Sequence, residues 1–552
     1  MNDNSQSAER RIDNVFRVVL GMSLFVAAVV VVWPDQIRVF SDTAHYMSTA
    51  RMIRDGNGIQ SELVYYDEQA ISGNIPAPQT VFPPGYPVAT AVVSRVTGMS
   101  VHRVGRVICL ASYAAIAPLI FLLAIGLGLR PGIAATCAAI WWGMLSGWVH
   151  VWCYSSDMPF MVLTLLSLLF YLKSAEKMMP LIVAGIAAAL AVTVRYTGVF
   201  LGITYGVVLL HRYRSELSGL RVGAFLRSAV VLIGPAVLTT VGLFVRNQSY
   251  VGKWSGGNNY SVHRTYSDVV KMFVYSIGQV IGFSINDLRS GHANDVLFVL
   301  SCVALAGGVV VLCVRHVMSK HIREGQAAEV RYSAILLYVP ISLLLLIYLH
   351  KTRSSGIASR LMLPTFPLIL LGGGLVYQKL SEIGRLFQRL ALIVFAMLLA
   401  SAGIGQAEFI ASYRTHARPS AAVSNAMTVE VADGITLRHF LNVHCDSDNS
   451  LLSSMPQLTH LFVERPTVGL PIGFYNTEQL PWTVERVHSR VNRFRVRYVL
   501  LVVPPDGSKH SAEFFSRVQN GEVPEWLKVV HEEAGALVLC EVIGAAVAGP
   551  GD

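Results

Sequence analysis

Charged residues are scarce. Asp, Glu, Lys and Arg together make up 14% of the 552 residues, where a soluble globular chain carries nearer a quarter. That shortage excludes a disordered chain, a coiled coil and an ordinary soluble enzyme. Cysteine is scarce too, seven in all, which excludes a disulfide scaffold. Five of them (Cys109, Cys137, Cys153, Cys302, Cys313) lie in or near apolar stretches and read as small core residues. Cys445 and Cys540 fall in a polar tail and could pair if that tail is extracytoplasmic. There is no Walker A loop and no Rossmann glycine fingerprint to suggest a nucleotide-binding fold. Internal repeats and low-complexity blocks are absent as well. What is abundant is apolar sequence, 53% of the chain. The class is a polytopic membrane protein with some polar mass attached. The net charge of +10 does not imply a nucleic-acid partner, because membrane proteins collect Lys and Arg in their cytoplasmic loops.

The N-terminus reads Arg10, Arg11, Arg17 and then an apolar run from Val18 to Trp33. Trp33-Pro34-Asp35 follows in place of a small-x-small cleavage site, so the run reads as an uncleaved first span with its N-terminus in the cytoplasm. Residues 34 to 104 form a large polar insertion. Within it, Val88 to Thr97 is apolar but too short to span, since crossing takes about twenty residues, and it reads as an interfacial helix. Further spans are expected at 105–128, 133–152, 158–173, 180–197, 198–211, 226–245, 293–314, 333–350, 361–378 and 390–407, eleven with the first. Loops placed inside are short and basic, as the positive-inside rule requires. From about residue 410 the apolar runs stop, and short strand-like runs such as Tyr498–Val503 and Ala536–Ile543 alternate with turn pairs. The expected architecture is therefore an all-α polytopic membrane domain over 1–409 and a small α/β domain over 410–552, which an odd span count puts outside.

Six polar motifs stand out against this background. Ser41-Asp42-Thr43-Ala44-His45-Tyr46 opens an amphipathic helix just after the first span. Asp42 reads either as its N-cap or as a general base, since a carboxylate beside lipid can have the raised pKa that proton abstraction needs. Phe82-Pro83-Pro84-Gly85-Tyr86-Pro87 is a rigid turn into the interfacial helix. Tyr154-Ser155-Ser156-Asp157 places a second carboxylate on the same side of the membrane as Asp42. It is again either a cap or a partner that could share a divalent metal or an acceptor hydroxyl. Arg195, in Val194-Arg195-Tyr196-Thr197-Gly198, interrupts continuous hydrophobic sequence, which marks a functional site or a snorkelling anchor. Arg360, in Ser359-Arg360-Leu361-Met362-Leu363-Pro364, follows Lys351 and Arg353 at the mouth of a span. Such a group can hold a phosphate or simply anchor the interface. Arg246-Asn247, followed by Gly252 and Gly256-Gly257, reads as a long connection or a gating loop.

No one motif is specific, but their order is. An acidic residue after the first span, a large outer loop closed by Pro-Pro-Gly-Tyr-Pro, an Asp after the third span, a basic residue after the fifth and a late Arg-x-x-x-Pro-x-x-Pro resemble the GT-C superfamily of polyprenyl-phosphate-sugar glycosyltransferases. The nearest branches are the protein mannosyltransferase and aminoarabinose lipid A transferase type and their lipopolysaccharide-core relatives. The resemblance covers roughly residues 15–410. It implies a plasma-membrane (inner-membrane) enzyme that moves a sugar from a polyprenyl phosphate to a hydroxyl of a glycan, lipid or protein on the outer face, with inversion. Asp42 would be the catalytic base, Asp157 the second acidic residue, and Arg195 and Arg360 the phosphate ligands, with Lys351 and Arg353 beside them. Asp42-Thr43 stands where the family often has Asp-Glu, which weakens the case for a divalent metal, the one cofactor the carboxylates leave room for. Val81-Phe82 stands where the aminoarabinose branch has Glu-Lys, which argues against that branch. The rival classes are a polysaccharide polymerase or ligase and a lipid-linked sugar transporter or flippase. The long first loop, the tail domain and the absence of a visible inverted repeat speak against the transporter.

Overall fold

The computed structural model describes residues 3–32, 41–174, 177–213, 222–256, 334–335, 337–346, 363–383, 389, 428–432, 434–445, 449–469, 483–502, 514, 517–518, 520–533 and 537–543. They form two compact units. One draws on Met1–Asp35, Arg106–Leu243 and His263–Ser412, the other on Gln36–Gly105, Phe244–Val262 and Tyr413–Asp552.

The first unit is helical, as its apolar runs dictate. It holds α1 (Asp3–Val32), most of α5 (Val101–Gly126), α6 (Pro131–Trp142), α7 (Leu145–Trp152), α8 (Asp157–Lys173), α9 (Met178–Val194), α10 (Val199–Arg212), α11 (Val222–Leu232) and the first half of α12 (Gly234–Val251). It also holds α13 (Leu337–Leu346) and α14 (Phe366–Ile383). Among the described residues Glu9–Val30 and Val101–Gly126 are long and apolar enough to cross a membrane. The pair α11 and α12, bent by 51°, makes a third if counted as one span. The expected spans at 293–314 and 390–407 lie outside the described residues.

The expected span 133–152 is not one helix. Pro131 starts α6 after an extended Arg130, where a missing N–H does no harm. The helix stops at Gly143, Met144 is extended, and α7 restarts at Leu145. The Trp142 carbonyl left free by this break accepts from Trp148 Nε1 at 3.1 Å and from Tyr113 Oη at 3.2 Å. An uninterrupted apolar sequence can thus hide a helix break, because indole and phenol groups satisfy the freed backbone. Deeper in the unit, Ser167 of α8 meets the Ala184 carbonyl of α9 at 2.8 Å and the Tyr205 hydroxyl of α10 at 2.6 Å.

Among the described residues the second unit is built around a six-stranded sheet in the order β2 (Leu63–Val64), β7 (Thr467–Gly469), β6 (Ser450–Ser453), β8 (Val496–Val502), β10 (Leu537–Val542), β9 (Leu527–Glu533). The first four strands run parallel and the last two join antiparallel. Its first strand comes from the first loop: Leu63 pairs with Thr467 and Val64 with Val468. Strand alternation sorts the core into two faces. Val499, Leu501, Val538 and Cys540 belong to one apolar cluster. Leu500, Val502, Leu537, Leu539 and Cys445 belong to the other. Cys445 and Cys540 are both buried and in no disulfide; the pairing considered from the sequence does not form, because the sheet lies between them. The remaining first-loop elements are α2 (Ser41–Arg54), a ladder of β1 (Gln60–Ser61) with β3 (Ala77–Pro78), α3 (Asp67–Ala70) and α4 (Gly85–Thr97), the helix expected over Val88–Thr97. The other described elements are an antiparallel ladder of β4 (Glu430–Ala432) with β5 (Ile435–Thr436) and helices α15 (Leu437–His444), α16 (Pro456–Val463) and α17 (Val484–Arg493).

Arg51 ties α2 to α16. Its Nη2 meets His460 Nε2 at 3.3 Å, and its Nη1 donates to the Glu464 carbonyl at 3.2 Å. His460 Nδ1 lies 2.7 Å from the Arg465 carbonyl. A carbonyl only accepts, so the proton is on Nδ1 and Nε2 accepts from Arg51.

Candidate active site

Two polar clusters stand out, one in each unit. In the first, α9 ends at Val194, Arg195 is extended (φ −147°, ψ 136°) and Tyr196–Gly198 forms a single 3-10 turn. The turn sits directly on the helix end. A Cβ at Gly198 would lie 2.5 Å from the Val192 nitrogen and 2.6 Å from the Ala191 carbonyl carbon, so only glycine fits. This sharp reversal carries the Arg195 side chain to the start of α8. There its Nη1 is 2.6 Å from Asp157 Oδ1 and donates to Ser156 Oγ at 3.3 Å. The Asp157 side chain is 1% exposed and Arg195 12%. On the far side of the carboxylate, His150 Nδ1 of α7 lies 3.3 Å from Asp157 Oδ2 and 2.9 Å from Ser155 Oγ.

Of the two readings of Asp157, the cap is not what is found. Ser156 occupies the cap position without a side-chain cap bond, and Asp157 is the first helical residue. There its charge still favours the helix N-terminus. Just before it, Tyr154 has φ +34°, a left-handed value that a bulky residue adopts only under constraint. The Arg106 guanidinium 5.6 Å from the Tyr154 ring centroid and the Cys109 thiol, which donates to the Ser155 carbonyl at 3.1 Å, brace this strained link.

The second cluster surrounds the start of α2. Asp42 lies in the first turn of the helix and is buried. One turn on, His45 is completely buried, with the Tyr66 ring 5.2 Å and the Phe82 ring 5.7 Å away. Burial pushes the His45 pKa down to about 4, with nearby Asp42 opposing. The Pro-Pro-Gly-Tyr-Pro segment starts α4 at Gly85 and buries Tyr86, whose hydroxyl donates to the Gly105 carbonyl at 3.3 Å and whose ring meets Tyr46 edge-on. Gln69 is the hub. Its Oε1 accepts from the backbone N–H of Tyr65 and Tyr66 at 3.1 and 3.2 Å. Its Nε2 reaches Gln79 Oε1 at 3.3 Å and His45 Nδ1 at 3.5 Å.

Of the residues nominated from the sequence, the structure joins Asp157 to Arg195 and puts Asp42 in the other unit. Arg360, Lys351 and Arg353 lie outside the described residues. Arg246 is committed to structure: it donates to the Gln79 carbonyl at 2.8 Å and the Ile59 carbonyl at 3.2 Å. Thr80 Oγ1 donates to the Gly256 carbonyl at 2.9 Å, so residues 246–256 are a packed connection. The Arg195 guanidinium occupies Asp157, and among the described residues no trio of His, Cys, Asp and Glu side chains gathers as a metal site. His150, Gln69 and Gln79 were not singled out from the sequence. His150 stands across a helix break from Asp157, where neither strand nor helix periodicity relates them. Nothing but a polar residue in an apolar run signals it.

No protein-family model matches the chain, and no curated protein matches it in sequence. Solved structures do. The oligosaccharyltransferase of Archaeoglobus fulgidus, solved tethered to an acceptor peptide, matches with a TM-score of 0.53 at 10% identity, over 88% of this chain and 69% of that one. ArnT from Cupriavidus metallidurans, solved bound to undecaprenyl phosphate, matches with a TM-score of 0.53 at 13% identity, over 97% of this chain and 98% of that one. Both have the GT-C fold, and this chain shares it.

Proposed function

We propose that this chain is an inverting membrane glycosyltransferase. It moves a sugar from a polyprenyl-phosphate donor to a hydroxyl of a cell-surface glycan, lipid or protein, at the outer face of the plasma (inner) membrane. The observation that carries this reading is the buried Asp157–Arg195 pair at the ends of two apolar helices. A carboxylate that fixes a guanidinium at such a place preorganises a cation for a lipid phosphate. Among the described residues both contacts of Arg195 use Nη1, which leaves its Nε and Nη2 donors for a phosphate. The solved structure of ArnT holds undecaprenyl phosphate and that of the oligosaccharyltransferase an acceptor peptide, which fits a lipid-linked donor.

The chemistry follows from these parts. Asp42 accepts the proton of the acceptor hydroxyl as its oxygen bonds to the anomeric carbon. The bond from that carbon to the phosphate oxygen breaks, and its electron pair stays on the phosphate. The diester becomes a monoester with more negative charge, so a cation held beside it gains interaction as the bond breaks. Arg195 supplies that cation, joined by Arg360 with Lys351 and Arg353. The topology of this reading has the N-terminus inside, eleven spans, and the C-terminal sheet domain outside.

A radiolabelled polyprenyl-phosphate-sugar assay in membranes, with and without the chain, tests it. Label is expected to reach a hydroxyl acceptor only with the chain present. Asp42→Asn should accumulate normally and lose about two or more orders of magnitude in rate. Near-normal turnover by that variant would leave Asp42 as a helix-start residue only. Donor crossing the bilayer with its sugar attached would favour a flippase.

A further inference from the structure

A buried hydrogen-bond chain ends on two donors that meet no acceptor among the described residues, and one of them belongs to His45, one helical turn from Asp42. It begins at Gln69, whose amide orientation is fixed, because its Oε1 accepts two backbone N–H groups and its Nε2 can only donate. The same Nε2 reaches Gln79 Oε1 and His45 Nδ1. His45 Nδ1 must therefore accept, and the imidazole proton sits on Nε2. Gln79, its oxygen used, presents its own Nε2. Both His45 Nε2 and Gln79 Nε2 are buried and lack a hydrogen-bond partner among the described residues. Leaving a buried donor unmet costs about 1–3 kcal/mol, and buried polar groups in folded proteins are almost always partnered. A purely packing role does not need such a chain. A phenyl ring among Tyr66, Phe82 and Tyr46 would fill the same space without it.

Asp42 lies one helical turn before His45, so the two side chains share a face of α2. We infer that His45 is a positioning residue for Asp42: its Nε2–H, held in one tautomer by Gln69, donates through one water to one oxygen of the Asp42 carboxylate and leaves the other oxygen to take the acceptor's proton. This rests on Asp42 as the base proposed above. His45 does the work as a neutral donor, since burial keeps it uncharged down to about pH 4. The titratable groups that face it are Asp42 from its own helix, Tyr66 from the segment after β2, and His460 from α16. His460 is itself held neutral by burial and by Arg51, its pKa lowered to about 3.

The test is the pH dependence of kcat/KM for sugar transfer by the full chain in membranes. A donor to the ionised carboxylate keeps its pKa low, so losing that donor raises it. His45→Phe should move the acid limb up by about one pH unit and slow turnover about tenfold on that limb. His45→Gln carries an N–H donor at the place of Nε2 and should return the limb to its original position. Gln69→Leu removes the group that fixes the tautomer and should move the limb the same way, with no further shift in the double variant. If His45→Phe does not accumulate in membranes, Gln69→Leu decides alone, a shifted limb supporting the proposal and an unmoved one overturning it. A limb that His45→Phe leaves in place, or that His45→Gln moves equally, makes His45 a core residue while Asp42 remains the base. Turnover retained by Asp42→Asn would instead remove the base reading itself, and this proposal with it.

Discussion

The two polar clusters solve the burial of polar groups in opposite ways. Around Asp157 the solution is charge against charge, a carboxylate and a guanidinium 2.6 Å apart with the carboxylate almost fully enclosed. Around His45 it is a chain of neutral donors and acceptors, with the imidazole kept uncharged by burial. The first is strong and unforgiving: a buried ion pair gives up hydration on both sides, so removing one partner strands the other. The second depends on geometry and tautomer, and its weakness is protonation.

The comparison breaks most sharply at Asp157. Asp157→Leu leaves Arg195 without its counter-charge and should destabilise the first unit by about 3–5 kcal/mol. Adding Arg195→Met should restore most of that stability while transfer stays lost. Thermal unfolding in detergent, alongside the transfer assay, reads both. A single variant as stable as the parent would show the pair to be no strut.

Acid should find the second unit first. His45 and His460 titrate near 4 and 3 in the folded protein against an ordinary 6.5. The unfolded chain therefore binds protons more readily. The stability these residues contribute is present above about pH 6.5 and falls as the pH drops toward 4 and 3. For the two together the loss between pH 6.5 and 5.5 is about 2 kcal/mol. Hydrogen exchange should show the strands β6 and β8 opening on acidification before α8 and α9 do. Equal loss in both units would contradict two neutral buried histidines.

Smaller effects sharpen the contrast. Gly198→Ala forces a Cβ to within 2.5 Å of backbone, and the turn must shift, at a cost of about 1–3 kcal/mol. Arg195 sits at the root of that turn, so transfer should fall further than stability alone would explain. Arg517 and Glu522 form an ion pair at 3.0 Å, nearly the length of the Asp157 pair, but both are more than half exposed. Arg517→Ala should change stability by less than about 1 kcal/mol. A large effect there would mean that burial is not what separates the two pairs.

Much of the helical framework was legible, because a helix in lipid needs a long apolar run and nothing else need be known about its neighbours. Helices α5, α8, α9 and α10 fall close to the expected spans. The break at Gly143-Met144 was not legible, since tryptophan and glycine keep the run apolar. Nor was the strand Leu63–Val64: two residues carry no periodicity, and their partner strand lies four hundred positions away. Asp157 and Arg195 were each visible as an expensive polar residue at the end of an apolar stretch. That they face each other was not, because the extended residue and the 3-10 turn after α9 set the direction of the arginine.

Composition by itself determined that this is a membrane chain with a polar tail, since hydropathy is a sum over residues and needs no coordinates. The order of residues also marked Asp157 and Arg195 as polar groups at the ends of apolar runs, where they are costly. Only the tertiary structure decided which charge neutralises which, that a strand of the first loop completes the C-terminal sheet, and which nitrogen of His45 carries the proton. Those outcomes depend on distances of a few ångströms between groups far apart in the chain. Coulomb and hydrogen-bond energies fall away over just such distances, so no reading of residues in order can supply them.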